Sequence, residues 1–304
     1  MSMVLLRKLD NRFEADLWCH ALDQQGIPYR FRTFEDSAYD GLFVTQRGYG
    51  DIHVDEKWLQ AARRVDAELS QVAQTRGLLP GELATRLEHT LLEPTAGAAD
   101  LQRHLDQCLQ WGMAAACVSP WMVAASAERL AGGPVALCTV VGFPLGTQSA
   151  ATKAAEAAEL HRAGAAELDL VINRSLLLEG SWDQARAEVA AVRAAAPQAV
   201  LKVILEMSQL PQAVLERTVA LCAAAGADYL KTGSGYFGPA EVEQVKVLRR
   251  LLDQGSAGLG IKAAGGIRSL EQALELVAAG ADRLGTSAGA AIMDQASRDW
   301  GPEA

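Results

Sequence analysis

Ala163-Gly164-Ala165-Ala166-Glu167-Leu168 recurs 62 residues later as Ala225-Gly226-Ala227-Asp228-Tyr229-Leu230, and 54 residues beyond that as Ala279-Gly280-Ala281-Asp282-Arg283-Leu284. Each time an Ala-rich helical stretch meets a glycine and a short apolar run follows. The glycine reads as a helix C-terminal stop and the run as a strand. Self-similarity at such offsets marks a repeated supersecondary unit, here two strand–helix units per repeat. Strands alternating with helices imply a parallel sheet. Working outward predicts eight strands, around residues 87–91, 114–118, 135–141, 167–172, 200–206, 229–232, 258–263 and 283–285. Helices fall between them, for example over 101–111, 151–163, 211–225 and 270–279. The α/β fold expected is a (β/α)8 TIM barrel over residues 84–304. A doubly wound open sheet is the alternative. No G-x-G-x-x-G follows the first strand, which argues against its dinucleotide-binding form.

Ahead of the barrel the chain is aromatic and charged. Residues 1–70 read as a small α+β accessory domain of order β-α-β-β-α, and residues 71–83, with Gly77, Pro80 and Gly81, as a linker. Val4–Leu6 predicts a strand; Asn11 and Glu14 resemble a capping box opening a helix that Gly26 ends. Tyr29, Phe31 and Phe34 predict a second strand, residues 42–44 and 52–54 one or two more, and 55–69 a helix. This pattern resembles the small family described as prokaryotic signal-transducing proteins. Cys19 and His20 on its first helix read as packing or surface positions.

The chain has 304 residues, of which 50% are hydrophobic and 21% charged, with a net charge of −9. It can bury a large core and is a poor prospect for nucleic-acid or anionic-membrane binding. Five scattered cysteines form no C-x-x-C and five histidines no H-x-x-x-H, so neither disulfides nor a metal site is expected. No apolar leader is readable, and the longest charge-free stretch, 130–152, is broken by Gly and Pro. A cytoplasmic protein is the expectation.

Strands of a parallel barrel are covered on both faces and should be apolar. Four consecutive strands break this rule. Asp169 sits in Glu167-Leu168-Asp169-Leu170-Val171-Ile172 and Lys202 in Val200-Leu201-Lys202-Val203-Ile204-Leu205; Lys231 closes Tyr229-Leu230-Lys231-Thr232 and Lys262 closes Leu259-Gly260-Ile261-Lys262-Ala263. Burying a charge is costly unless it is paired. In a barrel these side chains can converge on the C-terminal mouth, where catalytic groups sit. Neighbouring positive charge and partial burial are expected to lower a lysine pKa, and a neutral amine can attack a carbonyl to form an imine. A single strand-end lysine reads equally well as an ion pair or a snorkelling side chain.

Gly233-Ser234-Gly235, Ala264-Gly265-Gly266-Ile267-Arg268 and Gly285-Thr286-Ser287-Ala288-Gly289 follow the sixth, seventh and eighth strands. Loops of this kind leave backbone N–H groups free for an anion, and barrel phosphate sites often lie after strands seven and eight. Each loop alone would also serve as a tight turn.

Glu88-His89-Thr90-Leu91-Leu92-Glu93-Pro94, Cys117-Val118-Ser119-Pro120, Gly142-Phe143-Pro144-Leu145-Gly146 and Glu167-Leu168-Asp169-Leu170-Val171-Ile172-Asn173 occur in this order. Leu201-Lys202-Val203-Ile204-Leu205-Glu206, Lys231-Thr232-Gly233-Ser234-Gly235, Lys262-Ala263-Ala264-Gly265-Gly266-Ile267-Arg268 and Gly285-Thr286-Ser287 follow. Together they resemble the deoxyribose-phosphate aldolase family of class I aldolases, from about Arg86 to Met293. The resemblance implies reversible cleavage of 2-deoxy-D-ribose 5-phosphate to D-glyceraldehyde 3-phosphate and acetaldehyde, without a cofactor or metal. It implies Lys231 as the Schiff-base lysine, and Asp169 and Lys262 as the proton-handling pair. Gly235, Gly265, Gly266, Arg268, Gly285 and Ser287 correspond to positions around the phosphate, and Cys117, Lys202 and Thr90 to supporting ones. The implied partner is a small phosphorylated sugar; a homo-oligomer, as a dimer, is expected beside it, and the acidic charge and interrupted apolar stretches argue for no nucleic acid and no membrane. Glu88 stands where the family usually has aspartate, Glu93 where many members have lysine, Gly233 where serine is common, and Tyr236 where some have lysine. A related class I aldolase on another phosphorylated sugar is the alternative. A second is a regulatory protein with the N-terminal domain as sensor.

Overall fold

A computed structural model describes residues 3–9, 12–34, 50–76, 80–255 and 258–300. The chain opens with β1 (Met3–Leu9), a helix over Arg12–Gln24, β2 (Tyr29–Thr33) and β3 (Gly50–Asp55). After one 3-10 turn a helix runs over Leu59–Arg76. The sheet order is β1-β3-β2 with both pairings antiparallel, so β3 inserts between the two strands joined by the first helix. Leu9, Trp18, Leu22, Ile52, Val54 and Ala62 fill the space between sheet and helices. Gly26 ends the first helix at φ 62°. The predicted strand at 42–44 and the Asn11 cap lie outside the described residues. The second strand ends at Thr33, one residue before Phe34.

Helix Leu59–Arg76 extends through the first six residues of the expected linker, and Pro80–Ala84 forms a short helix of its own. The apolar spacing of Leu59, Ala62, Val65 and Leu69 sets the buried face, and nothing in Gln71–Arg76 stops the helix. The first helix packs on Pro80–Ala84 and on Ala98–Trp111, and the Leu59–Arg76 helix on Gly289–Trp300. The small sheet unit therefore rests on the outer helical layer.

The barrel strands are β4 (Leu87–Leu91), β5 (Ala115–Val118), β6 (Ala136–Val141), β7 (Glu167–Val171), β8 (Val200–Ile204), β9 (Tyr229–Lys231), β10 (Gly260–Ala264) and β11 (Arg283–Thr286). All pair in parallel, and β11 pairs with β4, Gly285 opposite Glu88, to close the ring. That closure rules out the open sheet. Helices such as Ala150–Arg162, Gln212–Ala224 and Leu270–Ala278 cover the outside.

The three repeats are helix stops as predicted. Gly164, Gly226 and Gly280 have φ of 111°, 86° and 109°, and the next residue's N–H in each case donates to a carbonyl in the last helical turn: Ala165 to Leu160, Ala227 to Cys222, Ala281 to Leu276. The repeat also carries a tie across the N-terminal face of the barrel. Asp228 accepts from the Leu201 N–H and pairs with Arg193, while Asp282 accepts from the Ile261 N–H and pairs with Arg249. The first repeat has Ala166 at this place and lacks the tie.

Candidate active site

The register of the parallel strands decides which charges meet. Asp169 stands level with Lys202, and Lys231 level with Lys262. All four side chains point inward at the C-terminal half of the barrel, and none is more than 5% exposed. Asp169 is the hub. Its Oδ2 lies 2.7 Å from Lys231 Nζ and 2.7 Å from Lys262 Nζ, and its Oδ1 3.2 Å from Lys202 Nζ.

Two further carboxylates complete the set. Glu88 pairs closely with Lys262 and lies 3.2 Å from Lys202; Glu167 also pairs with Lys202. Neither is among the site residues expected from sequence. The signal was the same as for the lysines, an ionisable residue inside an apolar strand. Cys138, on β6 opposite Cys117, adds its Sγ 3.4 Å from both Asp169 Oδ1 and Lys202 Nζ.

The electrostatics follow from this census. Burial by itself would raise the Asp169 pKa, but Lys202, Lys231 and Lys262 overcome it and hold the carboxyl well below its usual range. Burial would likewise push Lys262 and Lys202 down, yet Asp169 and Glu88 outweigh it for Lys262, and Asp169, Cys138, Glu88 and Glu167 for Lys202. Both pKa values end above the ordinary lysine value. The expectation that crowding lowers the lysines is therefore reversed at these two positions, because the carboxylates among them were undercounted. Cys117 is shifted down, chiefly by its hydrogen bond with Cys138 and against the effect of burial, and burial moves Cys138 well up.

A cavity of about 400 Å³ opens above the cluster at the C-terminal mouth. Lys231 lines it, as do Thr90, Gly235, Gly265, Gly266, Arg268, Gly285 and Ser287. Asp169, Lys262, Lys202 and Cys117 lie beneath that wall rather than on it. Leu92, Glu93, Phe143, Ser234, Tyr236 and Thr286 also line the cavity and were not named as site residues from sequence. Phe143 and Tyr236 meet edge-on with ring centroids 5.6 Å apart.

The glycine loops close on one another. Gly265 has φ 120°, and a Cβ there would stand 2.9 Å from the Gly238 carbonyl and 3.2 Å from Gly235 Cα. Only glycine permits that approach. Gly285 serves a second purpose, since a Cβ on it would meet Lys262 Cε at 2.9 Å. It is the space through which Lys262 reaches Asp169. Thr232 Oγ1 accepts from the Ala264 N–H, tying the ends of β9 and β10 together.

The sulfur and carboxylate atoms of Cys117, Cys138 and Asp169, and of Glu88, Cys138 and Glu167, lie close enough to hold a metal ion. Lysine ammonium groups already neutralise all three carboxylates, so a cation would enter against three positive charges.

A lysine amine on the wall of a barrel mouth, with a carboxylate and a second ammonium in hydrogen-bond reach, is equipped for imine chemistry on a carbonyl substrate. Residues 86–295 match the model of the DeoC/LacD family aldolases, and the chain belongs to this family. The deoxyribose-phosphate aldolase of Thermus thermophilus is 44% identical over 214 residues, covering 70% of this chain and 96% of that protein. That of Crocosphaera subtropica is 41% identical over 212 residues, covering 70% and 94%. The tetrameric deoxyribose phosphate aldolase structure from Aeropyrum pernix shares the fold with a TM-score of 0.67 at 34% identity, over 75% of this chain and 97% of that one. The small β1-β3-β2 unit precedes the matched region. No helix among the described residues is long and apolar enough to cross a membrane.

Proposed function

We propose that the chain reversibly cleaves 2-deoxy-D-ribose 5-phosphate into D-glyceraldehyde 3-phosphate and acetaldehyde, with Lys231 as the imine-forming residue. The observation that carries this reading is the shared contact of Lys231 and Lys262 with Asp169 Oδ2, 2.7 Å each, directly under a cavity walled by glycine loops. Lys231 attacks C1 of the open-chain sugar, and loss of water leaves an iminium. The iminium accepts the electron pair of the C2–C3 bond as Asp169, with Lys262 and a water, takes the proton of the C3 hydroxyl. Glyceraldehyde 3-phosphate departs. Protonation of the enamine at C2 and hydrolysis release acetaldehyde and restore the amine. In the resting site the lysines keep Asp169 ionised and its carboxylate partners keep Lys262 charged, so a group able to accept a proton and a group able to give one stand in direct contact.

The phosphate end is assigned to Gly235, Gly265, Gly266, Arg268, Gly285 and Ser287. Their support is position: all six line the same cavity as Lys231, Gly285 from the end of β11 and the other five from the loops that follow β9, β10 and β11. Thr90, Cys117 and Lys202 are read as supporting groups. A homodimer, a cytoplasmic location and an accessory domain over 1–70 joined through 71–83 to the barrel belong to the same proposal.

Incubation with deoxyribose 5-phosphate, borohydride reduction and peptide mass mapping tests it. A stable adduct is expected on the peptide containing Lys231, and Lys231→Ala should lose both the adduct and at least about a thousandfold in kcat. Full activity in Lys231→Ala would sink the mechanism.

A further inference from the structure

Among the described residues, Glu206 alone carries a side chain at positive φ, with φ 53° and ψ 61°. A side chain in the left-handed region persists only where the surroundings impose it, and such residues gather at functional sites. Glu206 follows β8, whose last residue Ile204 stands level with Lys231. It is 2% exposed, and its Oε1 accepts the Ser234 N–H at 2.6 Å. Its other oxygen faces Gly233, 3.2 Å from where a Cβ would stand. The flanking backbone is stitched to the same segment: the Leu205 N–H donates to the Lys231 carbonyl and the Met207 N–H to the Thr232 carbonyl, each at 2.9 Å. Ser234 Oγ in turn accepts the Tyr236 N–H at 3.2 Å, and a Cβ on Gly235 would stand 3.4 Å from Gly265 Cα, so the two loops run side by side along the cavity.

We propose that Glu206 is a positioning residue for phosphate recognition, its strained turn and buried carboxylate fixing the course of residues 232–236 so that Gly235 closes on Gly265. The Ser234 N–H is taken up by this tie, which leaves the glycine amides and Arg268 to meet the anion. Charge-assisted hydrogen bonds of this kind are the strong ones, so losing the tie loosens the whole loop. The reading rests on the aldolase assignment above and adds to it the residue that sets the phosphate end.

Glu206→Gly tests it, because glycine accepts the left-handed backbone while removing the carboxylate. Steady-state cleavage is measured on 2-deoxyribose 5-phosphate and on unphosphorylated 2-deoxyribose, beside the thermal midpoint. The expected fall in kcat/KM on the phosphorylated sugar is on the order of tenfold to a hundredfold, carried by KM. The unphosphorylated sugar should lose less than about threefold, and the midpoint should fall by no more than a few degrees, because relief of the left-handed strain offsets part of the lost hydrogen bond. Glu206→Gln, which keeps an acceptor oxygen, should recover most of the loss. Equal falls on both sugars, or no fall on either, would overturn the proposal. Absence of cleavage and of a trapped imine in the unmodified chain would overturn the aldolase assignment itself, and this inference with it.

Discussion

Lys153 and Lys262 are both fully buried, yet their surroundings differ. Lys153 lies on the Ala150–Arg162 helix, outside the barrel wall. Its Nζ donates to the Gly146 carbonyl at 2.7 Å and the Val171 carbonyl at 2.9 Å, and pairs with Glu188 at 2.9 Å. Glu188 also accepts the Asn173 N–H. Every partner is fixed, and no group of this set lines the cavity. Lys262 belongs instead to a group in which three ammoniums share one aspartate, and one of those, Lys231, reaches the cavity wall. Burial moves Lys153 below its usual pKa because Glu188 cannot fully offset it, whereas Asp169 and Glu88 together carry Lys262 the other way. A buried charge alone is thus a poor marker of chemistry. Shared partners and an open side distinguish the reactive set.

The sharpest way to break this contrast is Asp169→Asn. It removes the hub of the shared set, and kcat/KM on deoxyribose 5-phosphate should fall on the order of a hundredfold to ten-thousandfold. Activity within a few-fold of the parent would show that the hub is structural only. Lys153→Met attacks the closed set and should act on stability instead. It strands Glu188, so urea unfolding should report a loss of about 3–5 kcal/mol, with kcat at 25 °C changed by less than about tenfold. Adding Glu188→Gln should return part of that stability, and strict additivity of the two changes would deny their coupling.

A smaller effect sharpens the comparison from a buried group whose pKa reflects no carboxylate. His104 stacks on His89 with ring centroids 4.5 Å apart, and burial, then His89, push its pKa from 6.5 down to about 3. The unfolded chain takes up this proton below about pH 6.5, and the folded chain does not until about 3. The contribution is therefore fully present above pH 6.5 and is lost as the pH falls toward 3. His104→Phe keeps a ring for the stack, and at pH 4 its acid loss should be smaller than the parent's by roughly 2–3 kcal/mol. Parallel stability–pH curves would contradict the assignment.

Much of this was legible in the chain. The Ala-Gly-Ala repeats marked the helix stops, and the interruptions at Asp169, Lys202, Lys231 and Lys262 marked the inner face of four strands. The same interruption at Glu88 reads along the chain as a departure from a family pattern, although in the fold it neutralises Lys262 and Lys202. Without that carboxylate the crowded lysines are expected to shift down, and with it Lys262 and Lys202 shift up. Glu206 gave no local sign at all, since a glutamate ending an apolar strand does not announce a left-handed backbone.

The alternation of strands and helices is written along the chain, because hydrophobic period and glycine stops act over a few residues. Which strands carry charge is written there too, because an ionisable residue in an apolar run is costly wherever the run ends up. Which charges meet is settled by the closed barrel instead. Glu88 and Lys262 are 174 positions apart, and they become neighbours only when β11 pairs with β4 and the barrel closes. Coulomb energies depend on distance in space and on exclusion of water, and neither exists until that ring is complete.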